Sequence, residues 1–349
     1  LRFDNYSQEV GSNGSLLKAG NFGDLGRNIL RDAKVGFYAS SREVLDRLSL
    51  FGGALVGFGS RDADTINDFF SPGRLVDLDR DLFLIAEYRG LPFIERYWSP
   101  TIELGFYNLR RNVADGLEVE EFPCTACLPE SKFVDIAYDI WQAEINIYSK
   151  LNRYSLIELG YRHSPYRVST DSFFSEEFND FVPGSTSRYF IGNTLTAAYI
   201  VDAYLPYRHG DIAPLGFRGN VRYSFEPSRL LDNYEIRDGT LVPVYNSFQN
   251  HSAQLDARYG FMGPFNKVFQ FRTRLFSYLD NPDEYFFLDY IGGFDGMRSY
   301  PFFALGGNRT AFAQLSYYQP IKTNINRQSG PFILDKVYAR FFAEAGNGW

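Results

Sequence analysis

The chain has 349 residues, of which 45% are hydrophobic and 18% aromatic, with a net charge of −7 and a mean hydropathy of −0.26. The acidic balance argues against a nucleic-acid partner, which needs a basic face, and no apolar run is long enough for a transmembrane helix. Thirty-four Phe and 25 Tyr in a chain that is polar on average mean fine alternation of apolar and polar residues rather than apolar blocks.

Residues 1–33 are rich in Gly, Asn and Ser and weakly periodic; one irregular strand is expected there. The opening LRFDNYSQEV lacks the basic and apolar regions of a signal peptide, so an exported protein would be present here in mature or trimmed form. From Lys34 the pattern sharpens to period two, the signature of strands with unlike faces. Strands are expected near 34–40, 46–60, 79–89, 99–110, 132–149, 154–166, 188–205, 211–225, 250–262, 267–278, 309–320 and 336–346. In 101–108, for example, Ile102, Leu104 and Phe106 oppose Glu103, Gly105 and Tyr107. In 252–261, Ala253, Leu255, Ala257, Tyr259 and Phe261 oppose Gln254, Asp256 and Arg258.

A single apolar face would also suit a soluble core. Three features favour lipid. The polar faces carry many charges and glycines, as a wet lumen would. The apolar faces carry aromatics near their ends, like the interfacial girdles of membrane strands. No helix-period segment is available to cover the sheet, and an uncovered apolar sheet belongs in a membrane as a closed barrel. The expected links also alternate in length. Short ones fall near 41–45, 90–98, 150–153, 206–210 and 263–266, and long ones at 61–78, 111–131, 167–187, 226–249 and 279–308. Membrane barrels have short turns on one side and long loops on the other. The fold expected is therefore all-β: an antiparallel transmembrane β-barrel of the outer membrane over 34–349, facing lipid and lipopolysaccharide.

One long link stands apart. Residues 286–308 read FFLDYIGGFDGMRSYPFFALGGN, too apolar for a solvated loop, with Arg298 at the centre. Gly292, Gly293 and Gly296 allow tight backbone geometry. Arg298 offers donors suited to a carboxylate. An enclosed arginine would need such a partner; an aromatic-rich surface loop with an exposed arginine accounts for the residues equally well. Cys124 and Cys127, in FPCTACLP, fit a local disulfide in an oxidising compartment. A zinc or redox role would need further ligands, and two free thiols remain open. His163, His209 and His251 share no cluster with a nucleophile, so neither catalysis nor a metal or other cofactor is expected.

The segment Gly292–Pro320 resembles the sixth extracellular loop and following strand of the BamA/TamA-like superfamily, the bacterial surface-antigen barrels. The family's loop motif is Val/Ile-Arg-Gly-Phe/Tyr, and here Met297-Arg298-Ser299-Tyr300 departs at the first and third positions. Tyr317-Tyr318-Gln319-Pro320 is similar to the family's strand ending. Phe342-Ala343-Glu344-Ala345-Gly346 is similar to its Phe-x-Asp-x-Gly core, with Glu for Asp. The resemblance covers roughly 285–349. It implies a loop directed into the lumen and an Arg298–Glu344 latch. It implies sixteen strands, of which about twelve or thirteen are present, so the chain is expected to be a fragment. It also implies periplasmic domains outside this sequence, either POTRA repeats or a TolB-like propeller fusion. The function implied is non-covalent assembly or translocation of polypeptides or other envelope components in a Gram-negative-type outer membrane, with envelope proteins as partners or cargo. The alternative is a passive channel or scaffold barrel in a larger complex.

Overall fold

The computed structural model describes residues 34–45, 47–57, 78–90, 99–121, 130–175, 180–205, 212–237, 240–282, 284–293, 296–301, 304–330 and 332–349. The strand expected within 1–33, the Cys124–Cys127 pair and His209 lie outside these residues. Twelve strands form one antiparallel sheet. They are β1 (Lys34–Arg42), β2 (Leu48–Gly57), β3 (Arg80–Arg89), β4 (Thr101–Glu121), β5 (Glu130–Asn152) and β6 (Ser155–Thr170). They continue as β7 (Ser185–Leu205), β8 (Leu215–Arg237), β9 (Thr240–Met262), β10 (Val268–Tyr278), β11 (Arg309–Lys322) and β12 (Val337–Gly348). Each strand pairs with its neighbours in sequence, and β1 and β12 are the terminal strands of the order. No α-helix occurs among the described residues.

All twelve expected strands are present, but several run further than the alternation indicates. The expected long loop 226–249 is mostly strand: β8 continues to Arg237, β9 begins at Thr240, and two residues, 238–239, separate them. His251 therefore lies inside β9 rather than at a strand start. The expected loop 111–131 shrinks to 122–129 in the same way. Phe173–Ser175 and Asp180–Val182 form a small ladder of their own within the expected loop 167–187. Loop length as such does not alternate.

The chain divides into two compact units. The first comprises 1–147, 160–195 and 226–249; the second comprises 148–159, 196–225 and 250–349. In the first unit the large apolar side chains Val35, Phe37, Leu84, Leu104, Phe106 and Ile145 are exposed. They share the face expected to be apolar. On the opposite face Asp81 pairs with Lys34 at 2.7 Å and with Arg111 at 2.6 Å. Also there, Tyr107 donates to Glu144 and Asn146 to Glu103, both at 3.3 Å. Tyr38, Phe51 and Phe83 cluster on this same polar face, a departure from clean alternation in β1–β3.

The second unit has the same two-faced pattern. Leu159, Val221, Tyr259, Phe271, Leu275 and Leu315 are exposed, while Glu158, Thr310, Gln314 and Ser316 are buried. Glu158 meets Arg222 at 3.3 Å. In both units large apolar side chains are exposed on one face while charged and polar ones are held on the other.

Candidate functional site: a loop held on the polar face

The link from β10 to β11, residues 279–308, folds back along the second unit's sheet. Its entry turns through a short helical turn at Tyr285–Phe287. Asp289–Tyr290 then pair with Gly306–Gly307 in a two-residue antiparallel ladder, which closes the loop at its neck. Gly292 bridges Met297. Gly293 has φ +88 and donates its amide to Tyr300 O at 3.0 Å. The Met297 amide donates to Ile291 O at 2.6 Å. A Cβ on Gly296 would stand 1.9 Å from that carbonyl, so only glycine permits this close return of the backbone.

The loop packs on the polar face of β11 and β12. Ile291 and Met297 form a buried cluster with Phe312 of β11, and Leu305 packs against it. Gly346 of β12 lies directly across from Phe312. A Cβ there would approach Ile291 Cδ1 at 2.9 Å and Met297 Sδ at 3.1 Å, so the glycine makes room for the loop.

Arg298 and Glu344 are brought together. The Arg298 main-chain N–H donates to Glu344 Oε2 at 3.0 Å, and its Nε lies 3.8 Å from Oε1. The guanidinium carbon sits 4.8 Å above the Phe342 ring. The Glu344 side chain is 7% exposed and that of Arg298 34%. Gln314, opposite Glu344 in the ladder, donates to Oε1 at 2.5 Å. Arg340 donates to Gln314 Oε1 at 2.8 Å and to Ser316 Oγ at 2.9 Å. The polar face of β11–β12 is thus one connected network, with the loop arginine at its end. Tyr300 is exposed and donates its amide to Met297 O at 3.1 Å.

A second contact has no counterpart in the sequence reading. Asp289 of the loop accepts from Arg274 Nη2 of β10 at 2.7 Å. Its other oxygen accepts from the hydroxyl of Thr310, a fully buried residue of β11, at 2.6 Å. Arg274 was legible as a polar-face residue of its strand; the loop acid that meets it carries no periodic signal.

The apolar face of β9–β12 carries one aromatic row, and β8 and β9 carry a separate aromatic cluster. Phe261, Phe269, Tyr317 and Phe341 stand directly opposite one another across β9, β10, β11 and β12. Successive ring centroids are 5.4, 5.1 and 6.2 Å apart. The Lys267 ammonium lies over the Tyr317 ring at 5.8 Å. Midway along β9, His251 stacks on Phe225 at 4.6 Å and its Nδ1 meets the Tyr223 hydroxyl at 2.5 Å, which forms the cluster with β8. His163 Nδ1 meets Asn193 Oδ1 at 2.9 Å. No group of metal-binding side chains occurs among the described residues.

The fold and site define an all-β protein whose twelve-stranded antiparallel sheet carries a folded loop on its polar face. Neither models of known protein families nor curated protein sequences give a match to this chain.

Proposed function

We propose that the sheet is the wall of an outer-membrane β-barrel of the BamA/TamA-like kind. Its work is non-covalent insertion or translocation of polypeptides or other envelope components, with the loop at 286–308 bracing the lumen side of the wall. The observation that carries the membrane reading is the aromatic row and the aromatic cluster, set apart along an exposed apolar face. On β9 they are marked by His251 and Phe261, ten residues apart. Ten residues of strand span about 33 Å. A strand tilted by about 35–45° projects that as about 25 Å, the height of the lipid-facing band in outer-membrane barrels. Leu255 and Tyr259 lie between the two, and the charges of the same strand, Asp256 and Arg258, lie on the other face.

The assembly reading is supported by the loop. Its arginine meets an acid of the next strand but one, the arrangement the family resemblance implies. In cells that depend on this protein, neutralising both Arg298 and Glu344 should lower the amounts of unrelated envelope polypeptides in the outer membrane while the protein itself stays folded there. An unchanged envelope proteome, with ion conductance that rises when the loop is deleted, would overturn assembly in favour of a passive channel.

A further inference from the structure

We propose that Asp289 is a second positioning residue. The loop is held by two carboxylate–guanidinium contacts of opposite polarity, one at each limb. The inference rests on the latched-loop reading above and adds a contact the arginine motif does not contain. At one limb the loop supplies the base, Arg298, and the wall the acid, Glu344. At the other the loop supplies the acid, Asp289, and the wall the base, Arg274.

The ladder places these wall anchors apart. Arg274 faces Phe312, which faces Gly346; Glu344 lies one same-face step along β12 from Gly346. They are therefore separated by two strand spacings, about 10 Å across the sheet, and by one same-face step, about 7 Å along the strand. A loop seated the other way round would set Asp289 against Glu344 and Arg298 against Arg274. Both juxtapositions are like-charged, so the crossed polarity selects one orientation and rejects its reverse.

Asp289 also holds two strands at once, because its second oxygen takes the Thr310 hydroxyl. The acid directly across from Arg274 on β9 is Asp256. Its carboxylate is directed instead to Arg272 at 3.6 Å and Arg258 at 3.8 Å. Asp289 is thus the carboxylate to which the Arg274 guanidinium is turned.

The test is amide hydrogen exchange of the full chain in its native membrane, comparing peptides covering 284–292 and 296–301. Asp289→Asn should speed exchange in 284–292 by about tenfold or more, the factor given by loss of a charge-assisted hydrogen bond. Exchange in 296–301 should stay near its original rate. Glu344→Gln should show the opposite pattern. Exchanging the pair (Asp289→Arg with Arg274→Asp) should recover part of the protection in 284–292, the share the ion pair supplies, because an arginine at 289 offers no acceptor to the Thr310 hydroxyl; a merely structural loss at position 289 would recover none. Equal acceleration of both peptides in either single variant would overturn the separate role, and so would unchanged exchange in 284–292. Failure of the assembly reading would show in the envelope proteome and would leave these exchange patterns as predicted.

Discussion

Glu344→Gln keeps the shape of the side chain and removes its charge, which isolates what that charge does for the loop. Glu344 accepts from the Arg298 amide at 3.0 Å and from Gln314 at 2.5 Å. A hydrogen bond to a charged group contributes about 1.5–3 kcal/mol and a neutral one about 0.5–1.5, so neutralisation weakens each by about 1 kcal/mol. The ion pair with the guanidinium adds about 0.5 kcal/mol after screening, because Arg298 is about one-third exposed. The Gln314 bond joins two wall strands and is present whether or not the loop is docked, so the two loop contacts sum to about 1.5 kcal/mol, a loss of about tenfold in the loop's docking equilibrium. Arg298→Ala removes the ion pair and the contact with the Phe342 ring but leaves the main-chain donor. Its cost should be similar, about 1–1.5 kcal/mol. Protease cleavage within 296–301 under native conditions reads the docked fraction. Wild-type protease resistance in both variants would refute this reasoning. The same geometry bears on the charge swap. An arginine placed at 344 offers no acceptor for the amide at 298, so Arg298→Glu with Glu344→Arg should rescue folding in part only.

Leu315→Lys places a charge at the middle of β11 on the apolar face. In lipid it should cost about 2–4 kcal/mol, read as a lower unfolding midpoint in denaturant; a neutral or favourable effect would mean this face meets water. Gly296→Ala should undock the loop, since its Cβ would lie 1.9 Å from Ile291 O; wild-type protease resistance in that variant would show that the backbone return is not needed. Asp79, just before β3, has its carboxyl raised from 3.8, chiefly by burial. The folded state therefore holds this proton more tightly than the unfolded chain does. The resulting stabilisation is complete below the ordinary value and is lost as pH rises through the raised one. Asp79→Asn should flatten the fall in stability over that window, measured as unfolding midpoint against pH, and an unaltered profile would assign the slope to other groups.

The twelve strands were legible because their two faces meet different surroundings, and hydropathy records that difference at every second residue. The record falls silent where the surroundings become alike. In 226–249 apolar residues fall on both parities, as in Leu230-Leu231 and Val244-Tyr245, so the extension of β8 and β9 left no alternation to read. The dipeptide Asp238-Gly239 between them was the available signal, since it favours two-residue hairpin links. Tyr38, Phe51 and Phe83 mislead in the other direction, being aromatic on a face that elsewhere is charged. Within the loop, residue chemistry alone left Arg298 between an enclosed and an exposed role, and only the motif resemblance pointed to Glu344. Asp289 was hidden for a physical reason. A lone carboxylate in an irregular segment acquires its partner from the way the chain folds back, and sequence spacing carries no trace of that.

The central claim is that the apolar face meets lipid while the loop occupies the polar one. Nitroxide side chains placed singly at residues 253 to 262 along β9, with accessibility measured to oxygen and to a water-soluble nickel complex in native membranes, test it directly. The account predicts strict period two: positions 253, 255, 257 and 259 favour oxygen, deepest near 255–257, and the positions between them do not. Nickel-complex access at the odd positions, or no alternation along the strand, would contradict it.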